Sequence, residues 1–138
     1  MAKLFEKVKA NENGDNKDTF TNIRRELEIH THIEEQIFYP HLLDVGNEEL
    51  KSMTREGLEE HKQVKMVLAD LSNASEGFEP KLKVLIEDVE HHVNEEETEM
   101  FPLVQDQVDD ETLHTLGAKM QAEKERFASG STRSASAG

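Results

Sequence analysis

Three segments of this chain carry apolar residues at steps of three and four, and in all three the stripe turns ionisable midway. The first runs Phe20, Ile23, Leu27, His30, Glu34, Ile37. The second runs Leu50, Met53, Gly57, His61, Val64, Leu68, Leu71. The third runs Leu82, Leu85, Val89, His92, Glu96. Such steps trace one face of a helix, the seam it turns toward its neighbours. A carboxylate buried there without a partner costs several kcal/mol or takes up a proton. The chain must therefore fold so that these ionisable groups meet one another.

The first and third segments are copies. Residues 27–40, LEIHTHIEEQIFYP, align without gaps to residues 89–102, VEHHVNEEETEMFP, at an offset of 62. That offset takes His30 to His92, Glu34 to Glu96 and Pro40 to Pro102. Two copies are too few for a solenoid, which leaves a closed pseudo-twofold bundle. Clusters of turn formers, NENGDNKD, DVGN and NASEGFEP, separate helices predicted over 1–10, from Asp18 or Thr19 as cap to Pro40 or a little beyond it with a kink, over 48–73 and over 80–107. Pro80 suits a first helical position, and Asp109 or Asp110 caps a short fifth helix. The expectation is an all-α fold: an antiparallel, up-and-down four-helix bundle over residues 1–127, with a short extra C-terminal helix, followed by a disordered tail over 128–138.

Composition narrows the function. The chain has 138 residues, enough for one domain with a modest core, and 33% of them are charged, with a net charge of −14. That sign repels phosphate backbones and anionic membrane surfaces, so neither nucleic acid nor membrane is an expected partner. The chain has no cysteine, which excludes disulfides, thiolate zinc sites and iron–sulfur clusters. The opening MAKLFEKVKA does not read as a signal peptide, and no apolar run approaches a membrane span, so a cytoplasmic location is expected.

A seam histidine standing alone is ordinarily a hydrogen-bonded core residue. Two matched His-x-x-x-Glu pairs plus a third seam histidine are different, because two carboxylates and three imidazoles then converge on one level. A divalent metal would neutralise the carboxylates and use the neutral imidazole nitrogens. His at i and Glu at i+4 lie one above the other, so both can address one centre. The candidate ligands are His30, Glu34, His61, His92 and Glu96. His32 and His91 fall off the seam and are expected in solvent. His41 and His114 are not expected as ligands, and within the acidic run NEEETE only Glu96 has seam phase. Nitrogen and oxygen donors without sulfur suit iron, manganese or zinc.

On HTHIEEQIFYP, EEHKQVKMVL and EHHVNEEETEMFP the chain resembles the hemerythrin-like (HHE cation-binding) domains, over about residues 2–127. The resemblance implies a four-helix bundle holding a non-haem di-iron centre with two irons. His30 and Glu34 match its second-helix ligands, His61 the third-helix histidine, and His92 and Glu96 the fourth-helix pair, with Glu34 and Glu96 as bridging carboxylates. It implies a protein that binds or senses dioxygen, nitric oxide or iron. A di-iron enzyme of oxidative or nitrosative stress defence, reducing peroxide or oxygen or donating iron for repair, is the alternative. A metal-free structural bundle is the third reading. A ferritin-like centre, built on Glu-x-x-His, fits less well. The resemblance also implies a first-helix histidine just ahead of Leu4-Phe5, where this sequence starts, so the first helix reads as truncated. A clipped sequence, a vacancy filled by water or a neighbouring side chain, and a centre reduced to one metal or none are the three ways to account for it.

Overall fold

The computed structural model describes residues 2–11, 14–73 and 76–137, and every regular element among them is helical. In chain order they are α1 (Ala2–Ala10), α2 (Lys17–Ile33), a widened π turn (Glu34–Phe38), α3 (Tyr39–Val45), α4 (Glu48–Asn73), α5 (Phe78–Glu95), a second π turn (Glu96–Met100), α6 (Phe101–Gln107) and α7 (Asp110–Ala137). Each π turn joins its flanking helices into one unbroken rod. Residues 12–13 and 74–75, inside two of the expected turns, lie outside the described residues, as does Gly138.

Three boundaries differ from expectation. α2 starts at Lys17, with Asn16 rather than Asp18 or Thr19 at the cap position. The Asn16 side chain is used elsewhere: its Nδ2 donates to Glu79 Oε2 (2.9 Å) and to the Asn11 carbonyl (3.0 Å), and its backbone N–H donates to Glu79 Oε1 (3.1 Å). α5 begins at Phe78, two residues ahead of Pro80, after Gly77 turns the chain at φ +71°. A left-handed residue of this kind is low in energy only for glycine. α7 is not short, and its backbone stays helical to Ala137, through the segment expected to be a disordered tail. That segment holds Ala128, Ala135 and Ala137 and no proline to stop a helix. Asp109 does cap α7 as expected, accepting from the Thr112 N–H (2.7 Å).

The two π turns carry the main departure from a regular helix. The Tyr39 N–H donates to the Glu34 carbonyl and the Phe101 N–H to the Glu96 carbonyl, five residues back instead of four. Each wide turn is followed at once by a proline, Pro40 or Pro102. Proline has no N–H to give, and its ring would strike the carbonyl four residues back in an α-helix. Widening the turn removes that clash while the backbone stays helical through it. One inserted residue also rotates the next stretch of helix by about 100°. The inner face therefore passes to Phe38, Tyr39 and Leu42, and Ile37, the expected seam residue, is only half-buried.

Packing divides the interior in two. One apolar cluster joins Phe5 and Val8 of α1 to Phe20, Ile23 and Leu27, Val64, Leu68 and Leu71, and Leu82, Leu85 and Val89. The other joins Phe38, Tyr39, Leu42, Leu50, Met100, Val104 and Val108, with Leu113 and Met120 of α7 against it. The ionisable level of all three seams lies along the rods between these clusters. α4 packs on α5 and α3, α1 on α2, and α7 on α2 and the first π turn.

Candidate metal centre

The rods bring the predicted residues together. His30, Glu34, His92 and Glu96 each offer a ligand atom within 4.8 Å of the others. His61, from α4, joins through Nε2, 3.0 Å from Glu34 Oε1. His92 Nε2 is 3.4 Å from Glu96 Oε1 and 3.7 Å from Glu34 Oε1. Glu34, His61, His92 and Glu96 are buried, and His30 is partly open.

Two of the imidazoles are fixed from behind. His61 Nδ1 lies 2.9 Å from Glu35 Oε2, and His92 Nδ1 lies 2.7 Å from Glu60 Oε1. An ionised carboxylate can only accept, so Nδ1 carries the proton in both rings and Nε2 turns its lone pair to the centre when the ring is neutral. Burial opposes ionisation of Glu35, but Lys65 (Nζ–Oε1 2.8 Å) and His61 outweigh it and hold Glu35 below the usual carboxylate range. Carboxylates of this kind, behind a histidine, fix tautomer and ring orientation in metal sites.

His30 is the exception. Its Nε2 comes within 2.8 Å of Glu34 Oε1 but off the line of a hydrogen bond, and this buried nitrogen has no hydrogen-bond partner. A buried imidazole nitrogen this close to a carboxylate oxygen, yet out of line with it, leaves both atoms able to address a common third point.

Electrostatics give the same account. Burial works against the charged form of Glu34, but the imidazoles of His30, His61 and His92 around it hold its carboxyl well below the ordinary range. Glu96 goes the other way: burial, then the neighbouring Glu34, push it up to about 9. Burial would lower His92, yet Glu34, Glu96 and Glu60 raise it to about 9. The two carboxylates behave as a coupled pair that retains a proton, as like charges at this separation must. Protons thus do here what a cation would do better.

Tyr39, absent from the sequence-based set, completes the cluster. Its hydroxyl donates to Glu96 Oε2 (2.7 Å) and lies 3.5 Å from Nε2 of both His61 and His92, with its ring stacked on His61. Burial, with Glu34 and Glu96 beside it, pushes the phenol above its ordinary value. Gly57 makes room for it, since a Cβ there would sit 2.8 Å from the hydroxyl. Five residues after Glu34, Tyr39 would lie about 140° round an unbroken α-helix, and only the π turn carries it inward. The repeated proline after both pairs was the available signal. Glu35 and Glu60 carried none, because each serves a histidine on another helix.

The remaining histidines divide. His91 is exposed as expected and pairs with Glu95. Together with Glu60 these form a second, shallower group of closely spaced donor atoms. His32 is only partly in solvent: α7 packs against it, with Nε2 3.3 Å from Glu123 Oε1 and its ring 4.4 Å from that of Phe127.

The family model for the Hemerythrin HHE cation binding domain matches residues 1–104. The chain belongs to this family. No curated protein and no solved structure matches the chain. The matched residues of this HHE chain contain all five predicted donors and Tyr39, whereas α7 lies beyond them. Among the described residues no helix is long and apolar enough to cross a membrane. The donor set fits a cation: two imidazoles oriented from behind, a third nitrogen without a partner, and two buried carboxylates that cannot both keep their charge unaided.

Proposed function

We propose that His30, Glu34, His61, His92 and Glu96 would hold two irons, with Glu34 and Glu96 as the carboxylates serving both, and that the protein binds or senses dioxygen, nitric oxide or iron. We further propose that the rods close as an antiparallel four-helix bundle and that the protein works in the cytoplasm, without nucleic-acid or membrane partners. The observation that carries the metal reading is the His30–Glu34–His92–Glu96 group, with donor atoms within 4.8 Å and an unpartnered Nε2 facing it. Iron in such a centre would supply reversible coordination of a small ligand and one-electron chemistry.

The chain's own groups have separable tasks in this reading. Glu35 and Glu60 keep the Nδ1 protons of His61 and His92, so that both Nε2 atoms face inward. Tyr39 holds Glu96 by its Oε2, which leaves Oε1 turned to His92 and His30. The two apolar clusters exclude water above and below, which strengthens each electrostatic contact between them. His30 stands on the most open side and is the natural flank for an incoming ligand.

The test is metal content per chain by plasma mass spectrometry, on protein purified without chelator or metal-affinity resin. Close to two irons is the expected result; one metal or none overturns the di-iron reading. Binding and catalysis then separate by turnover. A binder gives a stoichiometric spectral change with nitric oxide or dioxygen, and an enzyme gives many events per site.

A further inference from the structure

A cavity of about 500 Å³ lies beneath α7, walled by Ile33, Phe38, Val104, Leu113 and Met120, and it reaches His30 and Glu34. Apart from those two residues its wall carries one charge, Lys124. The cavity joins two parts of the chain. One wall comes from residues within the HHE match, and the other comes from α7, which lies beyond it. α7 is held over the cavity by buried Leu116 and by the Glu123 and Phe127 contacts to His32, with the Asp109 cap at its start. A helix held in this way spans an apolar space instead of collapsing into it. Gly117 sits at the middle of that span, where a Cβ would meet nothing within 4 Å.

We propose that this chamber is a binding pocket for a small uncharged organic molecule with an apolar body, which lies along α7 with one end at the open His30 side of the cluster. Its volume falls among those of ordinary small-molecule sites, about 300–1,000 Å³, and exceeds what a diatomic gas needs. Its floor offers an apolar body Ile33, Phe38, Val104, Leu113 and Met120, its open rim carries Gln105 and Gln121, and it offers an anion only the exposed Lys124. His30 is the ligand that such an occupant would meet: its side chain is 35% exposed, against 3–8% for His61, His92, Glu34 and Glu96. Gly117 lines the open edge of this groove, where a large side chain has room to lie across its mouth. The pocket itself follows from α7 and its walls, whereas the meaning of the His30 end rests on the metal reading above.

The experiment uses the full chain loaded with zinc, which takes the same nitrogen and oxygen donors and leaves NMR signals sharp. Benzene is the probe, because dry apolar cavities accept it. Titration should shift the methyl resonances of Ile33, Leu113 and Met120 and the ring resonances of His30. Gly117→Leu should weaken benzene binding about tenfold or more, in the range of extra methylenes forced into an apolar pocket, with circular dichroism unchanged. Met120→Trp, which fills the chamber from the same helix, should do likewise. No shift at these methyls, or affinity that neither variant alters, overturns the proposal. Metal content of the same samples keeps the two readings apart. Benzene binding without metal uptake sinks the metal centre and leaves the chamber, and metal uptake without benzene binding does the reverse.

Discussion

His30 and His92 are equivalent in the two repeats, yet they live in different surroundings. The His92 side chain is 8% exposed, and Glu60 accepts a hydrogen bond from its Nδ1–H. The His30 side chain is 35% exposed, and its Nε2 is left without a hydrogen bond. The residues after each glutamate diverge too. Tyr39 is fully buried and reaches across to Glu96, whereas its counterpart Phe101 is 37% exposed. One half of the cluster is fixed by its neighbours, and the other is left open beside a chamber. The proposed centre, which would hold metal and also admit a ligand, needs both conditions, and an internal repeat with unequal neighbours provides them from nearly one sequence.

The largest effect should come from the carboxylates that the two halves share. Glu34→Ala and Glu96→Ala should each abolish paired-metal binding, read as metal per chain. Retention of two metals by either variant would break the idea that the halves act on one centre.

Metal uptake should also release protons. In the metal-free chain Glu96 and His92 both titrate near 9. Each value depends on the charge of the other group, so around pH 7 the Glu96–His92 pair as a whole retains protons that metal ligation must displace. Affinity should rise as pH rises toward about 9 and fall on acidification. A pH-stat titration with zinc at neutral pH measures this, and uptake without proton release would contradict the assignment.

A smaller effect distinguishes the halves. Glu60→Gln removes the charged acceptor behind His92 and should weaken metal binding by roughly 10–100-fold, the usual consequence of losing such a partner. His30 has no counterpart to lose. If isothermal titration finds Glu60→Gln equal to the parent, the fixed half is not fixed by Glu60.

The smallest effect concerns Tyr39. Gly57→Ala pushes a methyl against its hydroxyl and should cost about 1–2 kcal/mol of stability by overpacking. Denaturant unfolding measures it. An unchanged midpoint would mean that Tyr39 can withdraw, and with it the asymmetry between Tyr39 and Phe101.

Much of the site was legible because helical periodicity is local. Steps of three and four place side chains on a face wherever the helix packs, so His30, Glu34, His61, His92 and Glu96 could be picked out, and the repeat tied the two pairs together. The all-helical class followed from the same periodicity. Ile37 was misplaced and Tyr39 missed because the π turn changes the period at one point. Proline announces such a change but does not specify its form, since a kink or a break would satisfy it too.

The sequence by itself determined which ionisable residues share the helix seams and their phase, since both follow from backbone geometry within single helices. Only the tertiary structure decided which donor is held and which is free. Glu35 and Glu60 act across helices, α7 packs against His32 and spans the chamber, and the pairing of Asn16 with Glu79 ties a loop to a distant helix. These contacts join residues far apart in the chain, and their energies depend on distances that no local pattern encodes.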